Sequence, residues 1–225
     1  MHKLHAVIVP ALLPKFKPML LDERPFDLDA PGWAYEIKFD GYRLMAEFGH
    51  GKCELMTRNH ARATAWFPEI TRPLSLMTNF AGGPYIVDGE VCVLDDMGRS
   101  DFDKLHARAK RRSWYGGCDS VAYCVFDLLV DKGNDITQVP YRERKARLQQ
   151  LFEPAPPGVL VVGHFEEHGQ TLYDGAVLPL ELEELVAKRA DSLYAPGLRT
   201  SDWVKVQRPG AVPPERFKRG KNSSL

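Results

Sequence analysis

The sequence predicts a mixed α+β fold. Three consecutive runs, at 33–38, 42–48 and 53–57, have the residue pattern of β-strands, and a glycine-containing turn joins the last two. Residues 141–152 have the amphipathic pattern of a helix. The 225 residues, 44% hydrophobic and 27% charged, are typical of a globular protein that buries a sizeable core in one large domain, alone or with a small appendage.

The first 32 residues precede these strands and differ from them. They contain five prolines and little periodicity, which predicts an extended lead-in packed along the core without regular elements. After the strands, the pattern changes repeatedly between strand and helix. Helices are predicted at 67–76, 101–112, 141–152 and 171–182, and strands at 85–94, 121–130, 183–189 and 202–207.

An Asp-Gly-Glu sequence, Asp88-Gly89-Glu90, interrupts the β-branched run at 85–94. A hairpin turn is the commonest meaning of Asp-Gly, but here no polar loop follows and the strand resumes. The pattern therefore predicts a β-bulge that directs Glu90 into a site.

The most informative stretch is Glu36-Ile37-Lys38-Phe39-Asp40-Gly41-Tyr42-Arg43. Gly41 permits a tight turn, so the amine of Lys38 can project from a strand end into a cleft. One interpretation is a solvated surface turn; the other is a lysine nucleophile. An ordinary lysine, with a pKa of about 10.4, is almost entirely protonated at neutral pH. A nucleophilic Lys38 therefore needs neighbouring cations or a metal ion to lower its pKa.

Four basic residues at predicted strand ends or turns can supply that charge. Together they could surround a polyphosphate, neutralise charge during phosphoryl transfer, and lower the pKa of Lys38 by like-charge repulsion. They are Arg43, Arg58, Lys188 and Lys205.

Two acidic residues and one aromatic residue complete the candidate site. Glu90 and Glu183 offer hard oxygen ligands of the kind that Mg²⁺ binds together with substrate phosphates. Phe126, in the predicted strand 121–130, offers a ring on which a purine can stack.

Composition limits the other classes of function. The formal net charge is zero, so no global field indicates nucleic acid or membrane. The four cysteines lack Cys-x-x-Cys spacing, and the apolar stretch 6–13 is too short for a membrane span and lacks a cleavage pattern. We therefore expect a cytoplasmic protein without a membrane partner.

In their order along the chain, these motifs resemble those of the covalent nucleotidyltransferases: ATP-dependent DNA ligases, RNA ligases and mRNA capping enzymes. The resemblance is greatest to the ligase domain of bacterial end-joining DNA ligases, and it spans about residues 18–209. The matching segments are 36–43, 57–59 with 67–69, 88–90, 125–127, 183 with 186–189, and 203–205.

The resemblance implies a fold and a reaction. The fold is an ATP-grasp-like nucleotidyltransferase domain, with antiparallel sheets flanked by helices and a nucleotide cleft between them. Lys38 attacks the α-phosphorus of ATP in the presence of Mg²⁺ and expels pyrophosphate. The AMP then passes to the 5′-phosphate of nicked or broken double-stranded DNA, and the 3′-hydroxyl displaces it, as in DNA repair and recombination.

The resemblance also implies a role for each candidate residue. Lys38 is the residue that becomes adenylylated, and the others bind nucleotide or metal. Glu36 reads the adenine amino group, Arg43 and Glu90 the ribose side, Phe126 the adenine face, Arg58 and Lys188 phosphate, and Lys205 the α-phosphate, while Glu183 and Glu90 bind metal.

Three positions depart from the family pattern. Glu184 stands where glycine usually follows the glutamate of the fourth motif, Gln207 replaces a second lysine, and His60 replaces a frequent glycine. The expected domains are a lead-in at 1–17, an adenylation domain at 18–209 and a basic tail at 210–225, with no OB-fold domain. A separate OB-fold or end-joining protein is therefore an expected partner.

Two alternatives remain at this point. One is an RNA ligase or a GTP-using capping enzyme, since the base contacts decide the nucleotide. The other is a noncatalytic nucleic-acid-binding module that retains the phosphate-binding residues. The departures at Glu184 and Gln207 favour this alternative.

Overall fold

Two β-sheets form the framework of the computed structural model, which describes residues 15–81 and 83–211. The expected lead-in domain at 1–17 and the expected tail at 210–225 therefore lie largely outside the described residues. The strands are β1 (Leu20–Glu23), β2 (Trp33–Ile37), β3 (Tyr42–Gly49), β4 (Lys52–Thr57), β5 (Tyr85–Cys92), β6 (Ala122–Asp131), β7 (Asn134–Asp135), β8 (Val159–Val161), β9 (His164–Glu166), β10 (Glu184–Arg189) and β11 (Arg199–Gln207). The α-helices are α1 (Pro68–Ala81), α2 (Phe102–Ala109), α3 (Tyr141–Leu151) and α4 (Gly169–Leu172).

The two sheets are mainly antiparallel. Sheet A has the order β1-β11-β10-β2-β9, and sheet B has the order β4-β3-β5-β6-β7, with β8 beside β6. Only the β1–β11 and β6–β8 pairs are parallel among the paired strands that the structure describes. The predicted α+β class is thereby confirmed. No helix in the described ranges is long and apolar enough to span a membrane.

Most predicted elements are present, and the exceptions have physical causes. Residues 20–23 form strand β1, so the prediction of a lead-in without regular elements is wrong there. This strand is held by backbone pairing with β11 from the far end of the chain, which a local pattern does not reveal. The predicted helix at 171–182 is also wrong in part: α4 passes into a π-helical turn, Tyr173–Val177, and ends well before residue 182.

The predicted bulge at Asp88-Gly89-Glu90 is confirmed. The pairing of β5 with β6 shifts register between Asp88 and Gly89. Beyond this shift, Glu90 lies opposite Arg43 on the neighbouring strand β3. The regular pairing of β3 with β5 thus places an acidic and a basic side chain next to each other at the seam between the sheets.

Apolar residues fill three layers around and between the sheets. The largest cluster lies between sheet B and helices α1, α2 and α3, and includes Phe48, Phe67 and Leu148. A second covers the face of sheet A opposite Glu36, where α4 packs. The third joins the two sheets and includes Trp203 of sheet A.

Buried polar groups also tie sheet A to sheet B. Helix α3 is anchored to β6 by two hydrogen bonds from Arg144 to Asp127, at 2.8 and 2.9 Å. The same helix reaches sheet A, because the Tyr141 hydroxyl donates to Glu36 Oε1 at 2.6 Å and Lys145 Nζ donates to the same oxygen. Helix α3 therefore fixes the position of one sheet relative to the other.

Gly41 is required by a close approach rather than by a special backbone angle. It is absent from the residues with positive φ among those described. A Cβ atom added there would lie 2.1 Å from the carbonyl oxygen of Val91 and 2.8 Å from Cys92 Sγ. The backbone of β5 therefore leaves no space for a side chain at the turn after Lys38.

We expect Gly41→Ala to lower the free energy of unfolding by about 1–3 kcal/mol, because the contacting oxygen belongs to a buried strand that cannot move aside. Gly116→Ala is the matched control, since an added Cβ meets nothing within 4 Å there. Denaturant unfolding measures both variants. Equal stability of the two variants would show that β5 yields easily.

Acid should weaken the fold through Glu36. Burial raises the pKa of this carboxyl, but Lys145 and Lys188 outweigh burial and lower the pKa from 4.5 to about 2. The stabilisation present above the unfolded-state pKa is therefore lost as the pH falls toward 2, and it amounts to about 3 kcal/mol. The stability gap between wild type and Glu36→Gln, measured by denaturant unfolding, should narrow as the pH falls from about 5 to about 2, the window set by the unfolded-state and folded-state pKa of Glu36. A gap that stays constant would contradict this, and Glu143→Gln, on the exposed side of α3, should behave like wild type.

Candidate active site

A cavity of about 200 Å³ opens at the seam between the two sheets. It brings together seven of the residues that the sequence analysis selected, from six different strands or their ends. These are Glu36, Lys38, Arg43, Arg58, Glu90, Phe126 and Lys188. Trp203, Val162, Val186 and residues of β1 complete its apolar walls.

Strand alternation explains why Glu36 and Lys38 belong to this site. Successive side chains of a strand point to opposite faces, so residues two apart share one face. Glu36 and Lys38 face the seam, while Trp33 and Tyr35 pack into the core on the other side of sheet A. Lys38 follows the last residue of β2, and its backbone N–H donates to the carbonyl of Glu184 at 3.1 Å.

The amine of Lys38 is paired with a carboxylate. Its Nζ lies 2.9 Å from Glu184 Oε2, and its side chain is 27% exposed. Burial acts to lower the pKa of Lys38, but Glu184, Glu90 and Asp40 outweigh burial, so the pKa lies above its ordinary value. The expectation that surrounding cations lower this pKa is wrong, because the nearest charges in this structure are negative.

Lys205 reaches Lys38 only through Glu184. Its Nζ lies 3.4 Å from Glu184 Oε1 and 3.0 Å from Glu23 Oε2 on β1. Lys205 is thus the one predicted nucleotide-binding residue that does not line the cavity in the described part of the chain. The carboxylate of Glu184 stands between the two amines.

Glu36 and Lys188 form a buried ion pair beneath the cavity. Lys188 Nζ lies 2.6 Å from Glu36 Oε2, and both side chains are almost completely buried. Burial lowers the pKa of Lys188 and nearby Lys145 adds to this effect, while Glu36 opposes it. Lys188 also lies over the ring faces of Phe126 and Trp203, at 4.7 and 4.3 Å from their centroids.

Arg43 is held rigidly beside the half-buried ring of Phe126. Its guanidinium donates two hydrogen bonds to Asp88, at 3.0 and 2.7 Å, and lies 5.3 Å from the centroid of Phe126. Asp88 is fully buried and also accepts a hydrogen bond from the Tyr194 hydroxyl at 2.6 Å. Phe126 and Arg43 together present a flat aromatic surface next to a fixed hydrogen-bond donor.

The pKa of Glu90 is raised, which favours the protonated form of its carboxyl. Burial raises the pKa of its carboxyl to about 8, with Asp40 and Asp88 adding to the effect and Arg43 and Lys38 opposing it. A protonated carboxyl can donate a hydrogen bond to a hydroxyl group of a ligand. It is a poor metal ligand until it ionises.

The two residues predicted to bind metal do not converge. Glu90 lines the cavity between the sheets, whereas Glu183 lines a second cavity of about 300 Å³ together with Asp40 and Lys38. Lys38 borders both cavities. Within the described ranges, no group of three His, Cys, Asp or Glu side chains is placed to hold a metal ion. The donor set fits a magnesium ion that brings phosphate oxygens with it, since Mg²⁺ commonly takes only one or two protein carboxylates.

Arg58 lies exposed after β4. It lines the mouth of the main cavity and also a neighbouring cavity next to Asn59 and His60. It is placed to meet an anion that extends outward from the cavity.

Sequence reasoning missed several residues that position the site. Asp88 was read only as part of its motif, and Glu184 only as a departure from one. On α3, Tyr141 and Lys145 are buried, although the sequence analysis predicted only an amphipathic helix and did not include them in the site. The signal was available, because residues 141, 145 and 148 share one face of a helix at three- and four-residue spacing.

The family model for the ATP dependent DNA ligase domain matches residues 20–207. The multifunctional non-homologous end joining protein LigD of Pseudomonas aeruginosa is 34% identical over 179 residues, which cover 78% of this chain and 20% of that protein. The SPbeta prophage-derived DNA ligase-like protein LigB of Bacillus subtilis is 31% identical over 189 residues, 84% of this chain and 66% of that protein. The chain spans about a fifth of the length of the LigD protein of Pseudomonas aeruginosa.

Solved structures give the same result. The ligase domain of M. tuberculosis LigD has a TM-score of 0.73 and 30% identity, covering 85% of this chain and 59% of that one. A mycobacterial DNA ligase D complexed with ATP and MES has a TM-score of 0.69 and 29% identity, covering 85% of this chain and 60% of that one. The resemblance seen in the motifs is confirmed: the chain belongs to the ATP-dependent DNA ligase domain family, of the LigD type.

Proposed function

We propose that this domain is an ATP-dependent DNA-ligase-like adenylyltransferase with Lys38 as its nucleophile. The observation that carries the proposal is the meeting of Lys38, Arg43, Glu90 and Phe126 at one cavity in a chain of this family. The cavity offers an aromatic face, a fixed guanidinium and a lysine amine. These are the groups that a nucleotide's base, sugar and phosphate require.

In the proposed reaction, the ammonium group of Lys38 first loses a proton to solvent, and the resulting amine forms a bond to the α-phosphorus of ATP. The nitrogen releases a second proton to solvent as the phosphoramidate forms. The bond from that phosphorus to the bridging oxygen breaks, and pyrophosphate leaves with the electron pair. Phe126 stacks on the adenine, and neutral Glu90 donates to a ribose hydroxyl. Lys205 and Arg58 neutralise phosphate charge. Glu36 and Lys188 also line the cavity. In this proposal Glu36 lies beside the adenine and Lys188 lies toward the phosphates.

Magnesium would enter with the triphosphate, with Glu183 or ionised Glu90 as its protein ligand. When bound, it supplies charge neutralisation for the leaving pyrophosphate. The AMP then passes from Lys38 to the 5′-phosphate at a nick or break in double-stranded DNA, and the 3′-hydroxyl displaces it to seal the strand. The proposed adenylation domain is 18–209, and a separate OB-fold or end-joining protein is the proposed partner for full ligation.

A noncatalytic nucleotide- or nucleic-acid-binding role is the second candidate. One observation favours it: Lys38 is paired with Glu184, and its pKa is raised rather than lowered. An RNA ligase or capping-type enzyme differs from the first proposal in its nucleotide or its acceptor. Covalent labelling separates these possibilities.

Incubation with Mg²⁺ and α-labelled ATP should leave label on the denatured protein. Lys38→Ala should abolish the label, since Lys188, the other lysine that lines the cavity, is buried and paired with Glu36. Lys52→Ala removes an exposed lysine at the start of β4 and should label like wild type. Absence of label from folded wild-type protein would favour the noncatalytic role, and label from GTP in preference to ATP would favour a capping-type enzyme.

Phe126→Ala should raise the KM for ATP in the labelling reaction by roughly 5- to 100-fold, because stacking on a base contributes about 1–3 kcal/mol. Phe126→Trp keeps an aromatic face and should retain most of the affinity. Phe165→Ala, at an exposed aromatic residue on the edge strand β9, is the control. An unchanged KM in Phe126→Ala would place the base elsewhere.

A further inference from the structure

Glu184 lies at the first position of β10, and the geometry of that strand directs it toward the site. Glu184, Val186 and Lys188 alternate along the strand on one face, and the latter two line the cavity. Glu184 itself is 7% exposed. Its side chain therefore cannot turn into solvent without a local change.

The carboxylate of Glu184 bridges two amines that come from different strands. One oxygen lies 2.9 Å from Lys38 Nζ, and the other lies 3.4 Å from Lys205 Nζ. A phosphate group presents the same feature to a pair of cations: two oxygens on one central atom with shared negative charge. The space between these amines is thus an anion site that is filled by the protein's own side chain.

We propose that Glu184 acts as an internal anion that a nucleotide phosphate must displace from between Lys38 and Lys205 before adenylylation can occur. This inference rests on the proposed function, because it assigns a competitor to the same phosphate position. Glu184 is a positioning residue: it controls the access of phosphate to Lys38 and takes no part in bond formation.

Two physical effects make the competition strong. Two anions cannot share the space between the amines, because like charges at contact distance repel strongly in a partly buried site. The pairing also holds Lys38 as an ammonium group, which has no lone pair for attack. Displacement of Glu184 frees Lys38 from this carboxylate and brings its amine next to the phosphate.

Other contacts indicate which group moves. Lys205 keeps a second partner, Glu23 on β1, at 3.0 Å. The backbone pairing of Glu184 with Lys38 does not involve the carboxylate, since it runs from the Lys38 N–H to the Glu184 carbonyl. The side chain of Glu184 can therefore leave while β2 and β10 remain paired.

Inorganic tripolyphosphate, titrated by calorimetry into the full chain, tests the anion site without any chemistry. Glu184→Gln keeps the size of the side chain and removes its charge, and Glu184→Gly removes both. We expect both variants to bind tripolyphosphate at least 10-fold more tightly than wild type. Glu143→Gln removes an exposed carboxylate on α3 and should bind like wild type.

A double-mutant cycle shows whether the gain acts through the bridged amines. Lys205→Met removes one of the two cations, so the gain from Glu184→Gln should shrink in that background. In the labelling reaction, both Glu184 variants should lower the KM for ATP at least 5-fold, while the maximal rate changes less. Substitution of a residue with only a structural role would not lower the KM for ATP while changing the maximal rate less.

The outcomes separate the two proposals. If wild type becomes labelled but neither Glu184 variant gains affinity for tripolyphosphate or ATP, the internal-anion proposal is wrong and the adenylyltransferase proposal stands. If no protein becomes labelled but the variants bind tripolyphosphate more tightly, the internal anion is supported and the adenylyltransferase proposal is wrong. A gain that is identical with and without Lys205 would also overturn the bridging role of Glu184.

Discussion

The rest of the structure depends on the contacts that the buried carboxylate of Glu36 makes with Tyr141, Lys145 and Lys188. Glu36 belongs to sheet A. Two of its partners, Tyr141 and Lys145, lie on helix α3, which is hydrogen-bonded to sheet B through Arg144 and Asp127. A carboxylate out of contact with water is tolerated only when its charge and lone pairs are matched. The sheets are therefore held in the one arrangement that satisfies Glu36, and the cavity lies beside that contact.

The same requirement explains how the cavity keeps several cations close together without a ligand. Three of them have a carboxylate partner: Glu36 for Lys188, Asp88 for Arg43, and Glu184 for Lys38. Without such partners, mutual repulsion and the loss of hydration would oppose folding. These carboxylates hold the cations in place for a bound polyanion. They also neutralise the charge of their partners when no ligand is present.

The sequence predicted those parts of the fold and site that depend on local patterns. Strands β2 to β6 follow from alternation, the bulge before Glu90 from an Asp-Gly without a loop, and the family from motif order. Parts that depend on distant partners were missed. Strand β1 exists because β11 pairs with it, and the pKa of Lys38 rises because Glu184 and Glu90 approach it from other strands. A residue's charge is visible in a sequence, but its partner is not.

Burial and the number of partners distinguish the internal anions that are fixed from the one that can be exchanged. Asp88 is fully buried and accepts from both Arg43 and Tyr194, and Glu36 satisfies three donors. Removing either would leave buried cations unpaired in the framework itself. Glu184 makes one contact to each of two amines that are themselves partly exposed. A phosphate that replaces it gives the same two amines a new anionic partner, whereas exchange at the other positions would leave buried cations without one.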